Sequence, residues 1–207
     1  MKIFILAFKV IKRINKFILK FLEQIISFIL MKLNGVVFEK GFKSRGIPWV
    51  DVFLGGSFVI GNNFEMNNGK KYNNIGRQHQ CSFVIGGKGQ LIIGNNVRIS
   101  STSIVCHKKI RIGDNVKIGG NVVIYDTDFH TLDAKLRINV ESDINNSAQQ
   151  EVNIKNNVFI GAHSTILKGV EIGENSIIGA CSVVTKSIPD NQIWGGNPAR
   201  LIRSIEL

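Results

Sequence analysis

The chain has 207 residues, enough for one domain with a continuous core and a short additional segment. Its net charge is +11, and residues 1–34 hold seven basic residues against one acidic residue, so the charge is concentrated near the N-terminus. Three cysteines (Cys81, Cys106 and Cys181) are odd in number and widely spaced, which excludes a disulfide framework and indicates a reduced, cytoplasmic protein.

Residues 1–34 are predicted to form one amphipathic helix. Polar side chains recur every three or four residues from Lys9 to Ser27 and mark a narrow face, while the opposite face is broad and rich in Phe and Ile. The apolar stretches are too short and too often interrupted for a membrane span or a signal peptide. Two compatible alternatives stay open: the helix lies peripherally on the inner face of the cytoplasmic membrane, or its apolar face packs on the end of the domain or on other subunits. With no aromatic stacking platform or base-reading motif nearby, no nucleic-acid partner is expected.

The next part of the chain follows a six-residue period. Aliphatic residues occupy every sixth position from Ile93 to Ile124, with one extra residue after Val105, and again without a slip from Ile154 to Val184. A period of six is not helical, because the α-helix repeats every 3.6 residues, but it suits short strands whose alternate residues point inward. A solenoid of short strands over residues 35–190 is therefore predicted, in preference to an antiparallel sandwich, whose strands vary in length.

The start of the solenoid is less regular than its later turns. The fragments Ile60-Gly61 and Ile75-Gly76 indicate that the coil begins upstream of Ile93. The recurring sequence Ile-Gly-Asx-Asn places Gly and Asn at corners, because these residues tolerate a positive φ.

Residues 126–151 interrupt the period and are predicted to project as a loop from one side of the solenoid. The loop contains His130, with Asp126 and Asp128 close in sequence. An imidazole held by a carboxylate can take a proton from a hydroxyl group near neutral pH, although a lone loop histidine is more often an idle surface residue. The other histidines (His79, His107 and His163) are expected to be surface residues.

The hexads, the Asp126–His130 segment and two C-terminal motifs resemble the left-handed β-helix (hexapeptide-repeat) acetyltransferases, over roughly residues 55–203. The motifs are Ile178-Gly179-Ala180-Cys181-Ser182-Val183-Val184-Thr185-Lys186 and Gly196-Asn197-Pro198-Ala199-Arg200. The likeness is greatest to the branch that O-acetylates sugars and surface polysaccharides. It implies an all-β solenoid, a homotrimer, and acetyl-CoA bound in the groove between neighbouring coils. With the helix at 1–34 and the β-helix domain at 35–190, residues 191–207 form a C-terminal cap or tail.

The resemblance also implies a role for each site residue. His130 is the expected general base, with Asp126 or Asp128 as the acid that orients it. The remaining expected contacts all serve acetyl-CoA: backbone of Ala162 and Ala180 to the pantetheine arm, Thr185 and Lys186 to the adenosine end, and Lys186, Arg200 and Arg203 to the phosphates. Two residues depart from relatives: Phe159 stands where many have Trp, and His107 stands where one branch has Asp.

The expected activity is acetyl-CoA-dependent O-acetylation of a carbohydrate hydroxyl, such as a surface polysaccharide, O-antigen or capsule precursor, by direct transfer without a metal. N-acetylation of an amino sugar or its nucleotide-linked form is the alternative within the same family. A metalloenzyme of the carbonic anhydrase type needs three histidines on zinc, and the spacing of His107, His130 and His163 lacks the close pair. A non-enzymatic trimeric scaffold is a further alternative, because fold alone does not prove activity.

Overall fold

The computed structural model describes residues 1–73, 75 and 79–206. Helix α1 (Lys2–Leu33) is followed by a coil of short strands, and a single turn of 3₁₀-helix (Leu136–Ile138) and helix α2 (Val140–Asn145) interrupt the coil. The strands are β1 (Val37–Phe38), β2 (Lys43–Arg45), β3 (Trp49–Val52), β4 (Ser57–Ile60), β5 (Glu65–Asn67), β6 (Ser82–Ile85), β7 (Gln90–Ile93), β8 (Arg98–Ser100), β9 (Ser103–Cys106), β10 (Lys109–Ile112), β11 (Lys117–Ile118), β12 (Val123–Tyr125), β13 (Val152–Ile154), β14 (Phe159–Ile160), β15 (Thr165–Ile166), β16 (Glu171–Ile172), β17 (Ile177–Ile178), β18 (Val183–Val184), β19 (Gln192–Gly195) and β20 (Arg200–Ser204).

Each turn of the coil adds one strand to each of three parallel sheets. Sheet 1 has the order β1-β4-β7-β10-β13-β16, sheet 2 the order β2-β5-β8-β11-β14-β17-β19-β20, and sheet 3 the order β3-β6-β9-β12-β15-β18. Strand β20 closes the coil by pairing antiparallel with β19. The molecule is therefore the left-handed parallel β-helix that the sequence predicts.

The core is a column of stacked aliphatic side chains inside the coil. Every member of the predicted series from Ile154 to Val184 is at most 1% exposed, and the small or β-branched residues four positions later are buried as well. Parallel pairing stacks equivalent residues, as Ile118 pairs with Ile160 and Ile160 with Ile178. The sixfold period thus corresponds to one side of a three-sided coil, with 18 residues per turn in its regular part.

A ladder of asparagines runs along the corner between sheets 1 and 2. Each of these six residues has φ between 57° and 60°, and the Nδ2 of each of the first five donates to the Oδ1 of the next at 2.8–3.1 Å. The members are Asn63, Asn96, Asn115, Asn157, Asn175 and Asn191. Asparagine tolerates the left-handed conformation that the corner needs, and its side-chain amide forms hydrogen bonds with the asparagines of the neighbouring turns. These two properties explain the recurring Asx-Asn.

Two segments leave the coil: residues 68–81 between β5 and β6, and residues 126–151 between β12 and β13. The first was not foreseen in the sequence. Ile75, assigned above to the early coil, lies in this segment outside any strand, and Gly76 lies outside the described residues. The coil does begin upstream of Ile93, at Val37.

Helix α1 contacts the coil only near its C-terminal end. Ser27 and Met31 are buried there, whereas residues 1–19 are all exposed. The predicted packing of the apolar face on the end of the domain is therefore wrong for most of the helix. Within the described part of the chain, no helix has the length and apolar character needed to cross a membrane.

Candidate active site

The 126–151 insertion is clamped to the coil at both of its ends. Thr127 and Gln149 form an antiparallel bridge, the N–H of Asp128 donates to Ala148 O at 3.0 Å, and the N–H of Gln150 donates to Asp126 O at 2.9 Å. The insertion therefore leaves and re-enters the coil at one point, the corner where sheet 3 leads into sheet 1, and its fold is fixed relative to that corner.

Inside the insertion, helix α2 brings a carboxylate to His130. Asn139 caps the helix by accepting the N–H of Ser142 at 3.0 Å, and Asp143 lies in the first turn. Asp143 Oδ2 accepts from His130 Nδ1 at 2.6 Å, and Asp143 Oδ1 accepts from the N–H of Thr131 at 2.7 Å. The imidazole is thus held by the carboxylate of Asp143. This carboxylate is itself positioned by helix α2 and by the backbone N–H of Thr131.

Electrostatics favour the ionised form of Asp143. The hydrogen bond from His130 and then that from the Thr131 amide lower the pKa of this carboxyl below its ordinary value. An ionised Asp143 accepts the Nδ1 proton of the neutral imidazole, which leaves the lone pair on Nε2. Because the His130 side chain is 69% exposed, an incoming hydroxyl group can reach it.

The carboxylate that hydrogen-bonds His130 is therefore that of Asp143, and the predicted partners Asp126 and Asp128 have other contacts. Asp126 is fully buried, and its two oxygens accept the N–H groups of His107 and Lys108 at 2.8 and 2.7 Å, which closes the corner containing the extra residue. Asp128 forms an ion pair with Lys168 at 3.0 Å and ties the insertion to the next turn. Both aspartates build the loop that carries His130.

The signal for Asp143 was present but incomplete in the sequence. Asn139 followed by Glu141 and Asp143 is a typical helix start, with a cap residue and acidic residues in the first turn. This pattern predicts α2, but it does not show that α2 folds back onto His130.

An aromatic cluster forms around Phe129, the residue that precedes His130. Phe129 has φ of +63°, its N–H donates to Thr127 Oγ1 at 3.0 Å, and its ring is 41% exposed. The ring meets Tyr125 edge-on at 5.1 Å and His107 edge-on at 6.3 Å between centroids. A bulky residue in the left-handed region is unusual, so the loop holds an apolar surface beside His130 at some backbone cost.

Ala162 and Ala180 stack one turn apart at the corner between sheets 2 and 3. A Cβ added to Gly119 would lie 2.6 Å from Ala162 N, and one added to Gly161 would lie 2.5 Å from Ala180 N, so this close stacking requires glycine. The N–H groups of both alanines have no acceptor within the described ranges. They are donors available to a ligand or to water.

The predicted phosphate-binding residues lie at the C-terminal end of the coil. Thr185 and Lys186 are exposed and follow β18 directly. The N–H of Ala199 donates to Val183 O at 2.8 Å, which places Arg200 beside the same strand. Arg203 pairs with Ile193 further along β20 and is exposed.

His130 and the two alanines occupy opposite edges of sheet 3. His130 projects from the corner between sheets 3 and 1, whereas Ala162 and Ala180 lie at the corner between sheets 2 and 3. A surface depression of about 620 Å³ on sheet 1, lined in part by Arg111, Lys155 and Glu171, contains none of these residues. One copy of the chain therefore does not gather the predicted base and the predicted cofactor contacts into one cleft.

The other histidines have structural surroundings of their own. His163 occupies a corner with φ of +63°, and its Nδ1 lies 3.2 Å from Asn121 Nδ2. His107 packs near Phe129. In the part of the chain that the structure describes, no three His, Cys, Asp or Glu side chains come together in a geometry suited to a metal ion.

Comparison with known proteins identifies the repeats. The family model described as bacterial transferase hexapeptide (six repeats) matches residues 151–186, and the hexapeptide repeat of succinyl-transferase matches residues 90–126. Galactoside O-acetyltransferase of Escherichia coli (strain K12) is 41% identical over 119 residues, 54% of this chain and 56% of that protein. The chain carries the repeats of the hexapeptide-repeat acetyltransferases. The resemblance predicted from the sequence is confirmed.

Two further relatives define the extent of the similarity. A putative acetyltransferase of Schizosaccharomyces pombe is 47% identical over 100 residues, 47% of this chain and 44% of that protein. A point mutant of AntD, an N-acyltransferase from Bacillus cereus solved with dTDP-4-amino-4,6-dideoxyglucose and coenzyme A, superposes with a TM-score of 0.65 and 25% identity, covering 86% of this chain and 88% of that one. The chain spans about half the length of the curated relatives it matches.

Proposed function

We propose that this protein transfers the acetyl group of acetyl-CoA to a hydroxyl group of a carbohydrate, with His130 as the general base. The observation that carries the proposal is the exposed imidazole whose Nδ1 is held by an ionised, buried aspartate while Nε2 keeps its lone pair. This is the arrangement that general-base catalysis requires, and it occurs in a long insertion of a chain whose curated relatives are named as acetyltransferases.

The proposed transfer is direct. Nε2 of His130 takes the proton of the acceptor hydroxyl as its oxygen forms a bond to the thioester carbonyl carbon. The carbonyl electrons move onto oxygen, and their return breaks the C–S bond. The coenzyme leaves as a thiolate and takes the proton back from the imidazolium, which regenerates the neutral histidine. Asp143 stabilises the imidazolium between these two proton transfers and keeps Nε2 directed to the acceptor.

Acetyl-CoA is the proposed cosubstrate. The free N–H groups of Ala162 and Ala180 suit the amides of a pantetheine arm, and their stacking on glycine leaves room for a slim ligand to approach the backbone. Lys186 and Arg200, beside β18, supply positive charge for phosphates, with Thr185 and Arg203 nearby in sequence. Coenzyme A is also named in the solved AntD complex.

A homotrimer would complete the site between subunits. Sheet 3 differs from the other two sheets in the charge on its outer face: among its described outward positions only Asp51 is charged, whereas Arg111 and Glu171 on sheet 1 and Arg98 and Lys117 on sheet 2 point outward. Depletion of charge is typical of subunit interfaces. Packing along this sheet in closed threefold symmetry would bring His130 of one copy towards the Ala162–Ala180 corner of another, which supports the trimer.

The acceptor is proposed to be a sugar of a surface polysaccharide or its precursor. The relatives named galactoside O-acetyltransferase support a sugar hydroxyl, and the exposed ring of Phe129 beside His130 offers an apolar surface for the C–H face of a sugar. N-acetylation of an amino sugar is the second candidate, because AntD is an N-acyltransferase and its similarity covers most of the chain. The three thiols are free, which supports a cytoplasmic site of action.

Release of coenzyme A thiol, measured with acetyl-CoA against a panel of hydroxyl sugars and amino sugars, tests the activity. His130→Ala should lower turnover about 10²–10⁴-fold and leave acetyl-CoA binding nearly unchanged. His79→Ala is the matched control, since it also removes an exposed imidazole but lies in the segment between β5 and β6. Normal turnover in His130→Ala would refute the assignment of the base, and activity confined to amino sugars would favour N-acetylation.

A further inference from the structure

Helix α1 projects from the domain and presents a continuous apolar face to solvent. At 32 residues it is about 48 Å long, and only its last third contacts the coil. Gln24 makes two of these contacts, donating to Phe42 O at 3.2 Å and accepting the N–H of Ser44 at 2.6 Å, and Ser27 Oγ donates to Gly46 O at 3.1 Å. The orientation of the helix on the domain is therefore set by hydrogen bonds from its polar side, together with the burial of Met31 and the contact between Phe28 and Phe38.

The basic residues lie on this same polar side of the helix. Steps of three and four residues connect Lys9, Arg13, Lys16 and Lys20 with Gln24, Ser27 and Met31, so all of them fall on one stripe. The domain and these positive charges thus share one side of α1. The apolar face is turned away from the domain except near its C-terminal end, where the Phe28 ring packs edge-on against Phe38 at 5.1 Å between centroids.

The apolar face remains exposed along the full length of the helix. Phe4 is 81% exposed, Phe17 75% and Phe21 61%, and even above the coil Ile25 and Ile29 are 40% and 49% exposed. At 3.6 residues per turn, the apolar positions span an arc of roughly 220°. Apart from the contact between Phe28 and Phe38, no packing partner for this face is found within the described part of the chain.

The width of the apolar arc of α1 and the positive charge beside that arc indicate which kind of partner covers the apolar face. A coiled-coil seam between copies of the chain uses two positions in seven, which is much narrower than this arc. An interfacial helix instead has a broad apolar face rich in Phe and Leu or Ile and a basic polar face. The seven basic residues against one acidic residue in residues 1–34 complement anionic lipid headgroups.

We propose that α1 lies in the interface of an anionic membrane, parallel to its surface. Its Phe and Ile side chains enter the acyl region, its Lys and Arg side chains lie at the level of the headgroups, and the β-helix domain lies on the aqueous side. This attachment goes beyond the proposed enzymatic function, and it would keep the domain beside acceptors that are carried by lipids.

Sedimentation of the full chain with phosphatidylcholine vesicles, with and without phosphatidylglycerol, tests the proposal. Binding should require phosphatidylglycerol and should weaken as salt is raised, because salt screens the attraction between the helix and the headgroups. Phe17→Ser combined with Phe21→Ser should abolish binding, since neither ring contacts the coil. Arg13→Gln combined with Lys16→Gln should weaken binding about 30-fold. Lys88→Gln combined with Lys117→Gln removes the same charge from the coil and is the matched control.

Light scattering on the same variants distinguishes membrane binding by α1 from packing of α1 against other copies of the chain. The Phe17→Ser and Phe21→Ser variant should keep the mass and melting temperature of the parent protein. A fall in mass or melting temperature in that variant, or a parent protein that does not sediment with anionic vesicles, would overturn the proposal and indicate a packing helix. Vesicle binding needs no substrate, so its outcome is separate from that of the acetyl-transfer assay.

Discussion

Replacing Asp143 by asparagine keeps the size of the side chain but removes its charge and one of its two acceptor oxygens. Asp143 Oδ1 accepts the N–H of Thr131 and Oδ2 accepts the Nδ1–H of His130, so the single amide oxygen can accept only one of these two hydrogen bonds. With the oxygen on Thr131, the amide nitrogen donates to His130 Nδ1, and the imidazole proton then lies on Nε2, where the lone pair is needed. Asp143→Asn therefore tests the charge of this residue and its control of the imidazole tautomer without a change in side-chain size.

The size of the effect follows from the exposure of the imidazole. A general base contributes about 10²–10⁴-fold to a reaction of this kind. The ring of His130 is 69% exposed, so water screens part of the stabilisation that Asp143 provides, whereas the 2.6 Å contact preserves the rest. We expect turnover to fall about 10–100-fold, less than in His130→Ala, with the KM for acetyl-CoA unchanged.

Steady-state kinetics in acetyl-CoA and in the acceptor, together with thermal melting, provide the test. Asp128→Asn is the matched control: it breaks the ion pair with Lys168 and leaves the Asp143–His130 contact in place. Unchanged turnover in Asp143→Asn, or an equal loss in both variants that tracks a fall in melting temperature, would refute the positioning role.

Four other predictions concern the same site. Phe129→Asn, a residue that tolerates the positive φ, should raise the acceptor KM about 2–10-fold without affecting acetyl-CoA, and no change would remove the ring from acceptor binding. Alkylation followed by mass spectrometry should modify Cys181, which is exposed, and coenzyme A should slow this reaction because Ala180 is adjacent; Cys81, whose pKa burial raises to about 12, should stay unmodified. Lys186→Ala with Arg200→Ala should weaken binding of coenzyme A more than of dephospho-coenzyme A in calorimetry, and equal weakening would place the 3′-phosphate elsewhere. Because the pKa of Asp143 is below its ordinary value, its stabilisation of the insertion should be complete above about pH 4 and be lost as pH falls through the lowered value. The protection of backbone amides in residues 126–151 against hydrogen exchange, corrected for the intrinsic exchange rate at each pH, should fall over that range in the parent protein but not in Asp143→Asn.

The coil was predictable from the sequence because its geometry is local and repeated. One side of the coil takes six residues, so each inward position recurs as an aliphatic residue, and the series from Ile154 to Val184 is buried without exception. The asparagine corners are local too, since a positive φ restricts which residue fits there. Helix α1 likewise follows from a 3.6-residue pattern in its own segment.

Folding of the insertion was not predictable in the same way, because its contacts depend on where a non-repeating segment turns back. Nearness in sequence favoured Asp126 and Asp128 as partners of His130, but the coil corner binds the first and Lys168 binds the second. Asp143, 13 residues from His130, reaches it only because α2 packs against the start of the loop.

The sequence by itself determined the repeating coil, the helix and the histidine of the proposed site. The coil and the helix follow from the spacing of apolar residues, and the histidine follows from the motifs. The tertiary structure decided which carboxylate holds His130, the separation of His130 from Ala162 and Ala180 across sheet 3, and the direction of the apolar face of α1. These features depend on which distant segments meet, and a hydrophobic period in one segment carries no information about the side of another segment on which it packs.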